Sequence, residues 1–310
     1  MKVRIVLILI FLLLFSSLFA QNEEIVTLST QTGNIEGTLL VPETDKTPPV
    51  ALIIAGSGPT DREGNNPMMT NNSLKMLATG LNKNGIASLR YDKRGIAKSK
   101  NAEFKESDFR FEHLIQDAKD WVALLNQDDR FSDIFVIGHS EGSLIGMIAS
   151  QDSNVSKFIS IAGAGQTVDK VIKTQLASQL PIVLEKSLPI LDKLVHGETV
   201  ENVPTMLNSL FRPSVQPYLI SWFKYDPQIE IAKLKIPVLI IQGTTDIQVN
   251  GDEAKRLANA NQKAVIKMIE GMNHIMKVAE LDRQKNIETY YQPELPLAEG
   301  LIKSIVNFID

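Results

Sequence analysis

The 310 residues carry 36 acidic against 32 basic side chains, a formal charge of −4, and no cysteine. The absence of cysteine excludes a disulfide framework and lipidation on an N-terminal cysteine, so the fold must rely on its core. Mild acidity without a basic run leaves no electrostatic footprint for nucleic acid.

The chain opens on Met1, Lys2 and Arg4, an apolar run from Ile5 to Phe15, and then Ser16-Ser17-Leu18-Phe19-Ala20. Charged, apolar and small residues in that order predict a signal peptide over residues 1–20, cleaved after Ala20, and hence export to the periplasm or beyond. The apolar run is short for a spanning helix, so no stable membrane span is expected after cleavage. Leu18 stands where a small residue is preferred, which leaves an uncleaved N-terminal anchor as the alternative. Loss of Lys2 and Arg4 would take the formal charge from −4 to −6. Residues 21–310 are then expected to form one α/β domain with an insertion.

Ile25 to Ser29 and Asn34 to Val41 alternate apolar with polar residues around Gln31-Thr32-Gly33, the pattern of an antiparallel hairpin at a sheet edge. Thr47-Pro48-Pro49 breaks it. Val50 to Ala55 is a continuous apolar run, expected as a central strand buried on both faces. The loop Gly56-Ser57-Gly58-Pro59-Thr60-Asp61-Arg62 follows. It lacks the third glycine of a dinucleotide fingerprint, where Asp61 stands, and no Walker lysine follows. It reads either as a plain tight turn or as a source of a backbone N–H for a developing oxyanion.

A helix is expected over Ser73 to Leu81, stopped by Asn84-Gly85, and a strand over Ile86 to Tyr91. Asp92 and Arg94, in Asp92-Lys93-Arg94-Gly95, read as a structural ion pair and turn. Phe109 to Leu125 is an amphipathic helix carrying His113 and Trp121. Then comes Ile134-Phe135-Val136-Ile137-Gly138-His139-Ser140-Glu141-Gly142. Four apolar residues running into a small-residue turn, followed by a helix pattern over Ser143 to Ser150, form the strand, turn and helix of a nucleophile elbow. Ser140 is the candidate nucleophile, between Gly138 and Gly142.

A strand over Phe158 to Ile161 completes an alternation that implies a mostly parallel sheet with helices on both faces. The alternation stops at an insertion, about 166–232, in which Val168 to Leu180, Pro181 to Val195, Val200 to Phe211 and Val215 to Phe223 are helix-like. This is expected to be a helical cap. Its Met206, Phe211, Trp222 and Phe223 either line an acyl pocket or pack within the cap itself. Pro237 to Gln242 resumes the sheet and ends in Gly243-Thr244-Thr245-Asp246. Gly251 to Ala258 reads as a helix, Ala264 to Ile269 as the last strand, Gly271-Met272-Asn273-His274 as the loop beyond it and Leu297 to Ile309 as a closing helix.

A serine hydroxyl needs a base to take its proton, and histidine is suited to it near neutral pH. There are four histidines. His139 adjoins Ser140 and is expected to point away into the fold, His113 lies in a helix and His196 in the insertion. His274 occupies a loop at a strand end, where parallel sheets place their sites. The base needs a carboxylate to fix its tautomer. Asp246 stands at the preceding strand end, with Glu270 and Asp226 as weaker contenders. No H-E-x-x-H pair or cysteine supports a metal, and no cofactor is expected.

The order Ser140, Asp246, His274, with Tyr91-Asp92-Lys93-Arg94-Gly95 and Gly138-His139-Ser140-Glu141-Gly142, resembles the α/β-hydrolase family over essentially the whole mature chain. The loop at Gly56 is similar to that of a bacterial esterase branch related to the serine aminopeptidase S33 group. The resemblance implies an α/β-hydrolase fold with an inserted helical cap and a small-molecule ester as substrate. It implies that Ser140 attacks the carbonyl, that His274 takes and returns the proton and that Asp246 holds His274. It further implies an oxyanion hole made by the backbone N–H groups of Glu141 and Ser57, although Ala55-Gly56-Ser57 replaces the family's commoner His-Gly-X. The Glu141 side chain is expected to complement the helix N-terminus.

Two other readings stand beside ester hydrolysis. An exopeptidase or amidase of the same fold would need a carboxylate for the substrate ammonium, and Glu198, Glu201 and Asp226 are available. A non-catalytic binding module would keep the fold, but would not require all three of Ser140, Asp246 and His274.

Overall fold

The computed structural model describes residues 23–102, 105–151, 154–177 and 180–310. Residues 1–20, read above as a signal peptide, lie outside them. Among the described residues no helix is long and apolar enough to cross a membrane.

The expected hairpin is β1 (Glu23–Thr30) and β2 (Gly33–Leu40), joined by Gln31-Thr32 and closed by Gly33 at φ 135°, a conformation that favours glycine. Six further strands follow: β3 (Val50–Ile54), β4 (Ala87–Tyr91), β5 (Ile134–His139), β6 (Val155–Ile161), β7 (Val238–Gly243) and β8 (Val265–Ile269). All eight join one sheet in the spatial order β1-β2-β4-β3-β5-β6-β7-β8. The pairings from β4 through β8 are parallel, and those of β1 with β2 and β2 with β4 are antiparallel.

Helices alternate with these strands. Helices α1 (Ser73–Asn82), α2 (Phe111–Leu125) and α3 (Glu141–Ala149) follow β3, β4 and β5. Between β6 and β7 lie α4 (Val168–Ala177), α5 (Pro181–Val195), α6 (Asn208–Phe211), α7 (Gln216–Phe223) and α8 (Pro227–Ala232). Helices α9 (Gly251–Ala260), α10 (Arg283–Glu288) and α11 (Leu301–Ile309) complete the chain. This arrangement is the α/β-hydrolase fold.

The unbroken apolar runs of β3, β5 and β7 are explained by burial on both faces. Leu52, Ile54, Val136 and Ile240 join one core with α2, α3 and α9. The alternate residues Ala51, Ile53, Ile137 and Ile241 join a second core with α1 and α11. The segment between β6 and β7 has a third cluster of its own, with Ile172, Leu191, Leu194, Phe211 and Leu219 at its centre.

Several boundaries differ from expectation. The helix expected over Val200 to Phe211 is reduced to a single 3-10 turn, Thr205–Leu207, and the short α6. Pro204, at φ −54° and ψ 135°, holds an extended conformation there and disfavours a helix through the residue before it. The closing helix starts at Leu301 because Gly300 enters it at φ 86°. The polar sequence of α10 carries no apolar periodicity to announce it, yet Asp282 caps it by accepting from the Lys285 N–H. At the elbow, α3 begins at Glu141, directly after Ser140.

Candidate active site

The sharp turn between β5 and α3 places Ser140 at φ 54° and ψ −119°, a strained conformation for a residue with a side chain. Its N–H donates to the Ile161 carbonyl at 2.9 Å, which ties the turn to β6. The flanking glycines are required by contact. A Cβ on Gly138 would lie 2.2 Å from the Gly142 carbonyl oxygen, and one on Gly142 would lie 2.3 Å from that of Ile54. The backbone therefore approaches itself closely enough to hold Ser140 outward, partly exposed.

His274 and Asp246, from the loops after β8 and β7, meet at 2.8 Å between Nδ1 and Oδ2. Both are buried. An ionised carboxylate accepts, so His274 carries its proton on Nδ1 and leaves Nε2 as the basic nitrogen. Asp246 Oδ1 accepts from the backbone N–H groups of Gln248 and Val249 at 2.8 and 2.9 Å. Gln242 Nε2 adds a third kind of donor, reaching Oδ2 at 3.1 Å. Burial works to raise the Asp246 pKa. The charge and hydrogen bond of His274, with the two backbone donors, outweigh it and hold the carboxyl below its ordinary value.

His274 shares a pocket of about 120 Å³ with Ser140, Ser57 and His139. His139 is buried, as expected, but lies against the site: its Nε2–H donates to the His274 carbonyl at 2.7 Å, and the two rings stand 4.9 Å apart. Burial, then the proximity of His274, lowers its pKa to about 4, so it stays neutral beside His274. The remaining contenders are elsewhere. His113 accepts from the Arg110 N–H at the start of α2, and His196 is exposed at the end of α5. Glu270 is exposed, and Asp226 caps α8.

The loop after β3 lies on the elbow, since a Cβ on Gly56 would stand 3.1 Å from that of Ser140. Ser57 is exposed and borders both the 120 Å³ pocket and a cavity of about 430 Å³ beside Ser140. Glu141 is the first residue of α3, where a backbone N–H has no acceptor within the helix.

Two expectations need correction. Asp92 and Arg94 do not pair with each other. Asp92 takes Arg62, at 2.7 Å, and the Arg62 N–H at 2.8 Å, which braces the Gly56 loop against the end of β4. Arg94 pairs with Asp117 of α2, by Nε at 3.0 Å and by a second bond. Nor does the Glu141 side chain merely complement its helix. One carboxylate oxygen accepts from Lys93 Nζ at 3.1 Å and the other from the Tyr218 hydroxyl of α7. Lys93 Nζ also donates to the Gly56 carbonyl at 2.5 Å. Burial, then the Glu141 charge, raises the Tyr218 pKa well above its ordinary value.

The 430 Å³ cavity runs from Ser140 between α3 and the helices that follow β6, with Leu144, Val171, Ile172, Leu219 and Trp222 among its walls. Of the four residues considered for this lining, Trp222 reaches it. Phe211 is fully buried in the cluster between β6 and β7, Phe223 packs against that cluster, and Met206 is exposed. Sequence reasoning missed Gln242, Lys93 and Tyr218. A glutamine closing a buried apolar strand is a signal that was there to be read. Tyr218 carries none. Among the described residues no group of three or more histidine and acidic side chains is gathered to hold a metal ion.

Residues 70–278 match the family described as serine aminopeptidase, S33. Esterase EstD of Thermotoga maritima is 26% identical over 251 residues, 79% of this chain and 58% of that protein. The chain thus spans little more than half the length of that curated relative. Est1E from Butyrivibrio proteoclasticus, in a structure with ferulic acid bound, has a TM-score of 0.63 at 18% identity, covering 92% of this chain and 99% of that one. A Pyrococcus furiosus esterase, Pf2001, gives 0.58 at 14% identity, with 93% and 92% covered. At such identities these two structures speak for the fold.

Proposed function

The chain belongs to the serine aminopeptidase S33 family, and on that premise we propose that it is a serine hydrolase cleaving carboxylic esters through an acyl-enzyme. The observation that carries this reading is the buried 2.8 Å contact of His274 with Asp246, in a pocket shared with Ser140 on its strained turn. Ser140 Oγ attacks the ester carbonyl while His274 Nε2 takes its proton. The N–H groups of Glu141 and Ser57 receive the oxyanion, and His274 returns the proton to the leaving alcohol. Water then repeats the sequence on the acyl-enzyme. Similarity to Esterase EstD supports the ester as substrate.

In this reading α4 to α8 form a cap whose apolar wall receives the acyl group. The family's description favours an aminopeptidase as second reading. A substrate ammonium would then need a carboxylate in the cavity. Glu141, which borders it, is already engaged by Lys93 and Tyr218. Glu198, Glu201 and Asp226 stand outside the lining. That balance favours the ester. Export through residues 1–20 belongs to the same proposal, and a mature N-terminus at Gln21 in the secreted or periplasmic fraction is its expected mark.

A serine-directed phosphonate should label the wild-type protein stoichiometrically and Ser140→Ala not at all, with a burst on an activated ester lost in the variant. Full hydrolysis by Ser140→Ala would remove the assignment. Rates on an ester and an aminoacyl amide with the same acyl group separate the two substrate readings.

A further inference from the structure

Glycine on either side of Ser57 leaves the peptide units around it with more rotational freedom than other residues would allow, and Gly58 stands at φ 73°. An oxyanion donor is effective only if it is held in place before charge develops. The Gly56–Ser57 unit therefore needs a restraint that its own sequence does not supply.

Lys93 provides one. Its Nζ donates to the Gly56 carbonyl at 2.5 Å in a buried contact. In a trans peptide the carbonyl and the following N–H point in opposite directions across one plane. Holding the Gly56 oxygen on one side therefore aims the Ser57 N–H to the other. The surroundings agree with this division. Lys93 borders a separate cavity of about 370 Å³ beyond Gly58-Pro59, whereas Ser57 borders both spaces that contain Ser140. A cation on the carbonyl also polarises the peptide and strengthens its N–H as a donor.

On the reading of Ser140 as nucleophile, we infer that Lys93 is a positioning residue for the oxyanion hole, aiming the Ser57 N–H through the Gly56 carbonyl. Glu141 completes the device. Its carboxylate, with a side chain only 2% exposed, neutralises the buried Lys93 ammonium and fixes where it sits. Glu141 thus serves both halves of the hole, one by its own N–H and the other through Lys93. The hydroxyl of Tyr218 ties the second carboxylate oxygen to α7, so the segment between β6 and β7 bears on the same chain of contacts.

The test uses the full protein with an activated ester and a trifluoromethyl ketone, which adds Ser140 to form an oxyanion. Lys93→Met alone leaves the Glu141 charge buried without its cation, so the decisive variant is the double Lys93→Met, Glu141→Gln, with thermal unfolding to verify the fold. It should lose roughly 10- to 100-fold in kcat with KM within threefold, less than or equal to the loss for deleting a donor outright. The ketone should weaken by the same factor, while inhibition by the product acid stays unchanged. Lys93→Arg, which keeps a charged donor, should recover at least about tenfold of the loss. A folded double variant with wild-type kcat, or equal kcat in Lys93→Arg and Lys93→Met, would overturn the inference. Either result with Ser140→Ala inactive counts against Lys93 alone, whereas hydrolysis surviving Ser140→Ala counts against the proposed function.

Discussion

Replacing Asp246 by asparagine preserves shape while inverting one polarity. In the wild type, Oδ1 accepts two backbone N–H groups and Oδ2 accepts from His274 Nδ1 and Gln242 Nε2. The asparagine oxygen must stay with the two backbone donors, which have no freedom to turn. Its amide NH₂ then faces His274 and presents a proton where one was accepted. His274 answers by moving its own proton to Nε2, the tautomer that is unable to take a proton from Ser140. The expected loss is about 10⁴ in kcat with KM little changed, close to 5.5 kcal/mol of transition-state stabilisation at 1.36 kcal/mol per decade. Pre-steady-state kinetics with a p-nitrophenyl ester should show the burst slowed by that factor, with phosphonate labelling slowed alongside it. A variant within tenfold of wild type would refute the tautomer reasoning.

Three further outcomes are expected. The His139 pKa is depressed to about 4 from 6.5, so the folded protein binds fewer protons than the unfolded chain between those values. Its stabilising contribution is complete above pH 6.5 and falls away as pH drops toward 4, by about 3 kcal/mol in all. Urea unfolding across that window should show the slope, and His139→Gln, which retains a donor for the His274 carbonyl, should flatten it; identical slopes would count against the assignment. Gly142→Ala drives a Cβ against the Ile54 and Ala55 carbonyls and should cost about 1–3 kcal/mol in unfolding free energy, with a fall in kcat as the elbow moves from the Gly56 loop. Unchanged stability and rate would contradict the contact. Trp222→Ala enlarges the 430 Å³ cavity and should shift the kcat/KM preference toward longer acyl chains by about tenfold, as one or more methylene groups gain space; an unaltered profile over a series of ester lengths would place the acyl group elsewhere.

Residue order and local pattern were enough for the frame. Continuous apolar runs at Val50, Ile134 and Pro237 mark strands buried on both faces, because no other short element needs apolar residues at every position. Glycine two residues before and after Ser140 marks the elbow, because the close approach at Gly138 and Gly142 admits no Cβ. Asp246 and His274 were legible from their places at the ends of β7 and β8, which a parallel sheet brings to one side. Local pattern was less reliable where a single residue overrode it. Pro204 ended a helix that apolar spacing suggested, Gly300 delayed the start of α11, and the polar α10 had no apolar face to show.

Side-chain partners belonged to the tertiary structure. Asp92 and Arg94 are two residues apart, yet each binds a group brought from elsewhere: Arg62 from the Gly56 loop and Asp117 from α2. Lys93, Glu141 and Tyr218 lie in three separate stretches of chain and meet only because β4, α3 and α7 converge beside Ser140. A buried charge takes its partner from whatever the fold places within about 3 Å, and that depends on long-range closure rather than on spacing. The sequence by itself therefore determined the elbow, the strand framework and the order of Ser140, Asp246 and His274 along them. Tertiary structure decided how the Gly56 loop is braced, that Trp222 and Tyr218 rather than Phe211 or Phe223 reach the cavity, and what Glu141 does with its carboxylate.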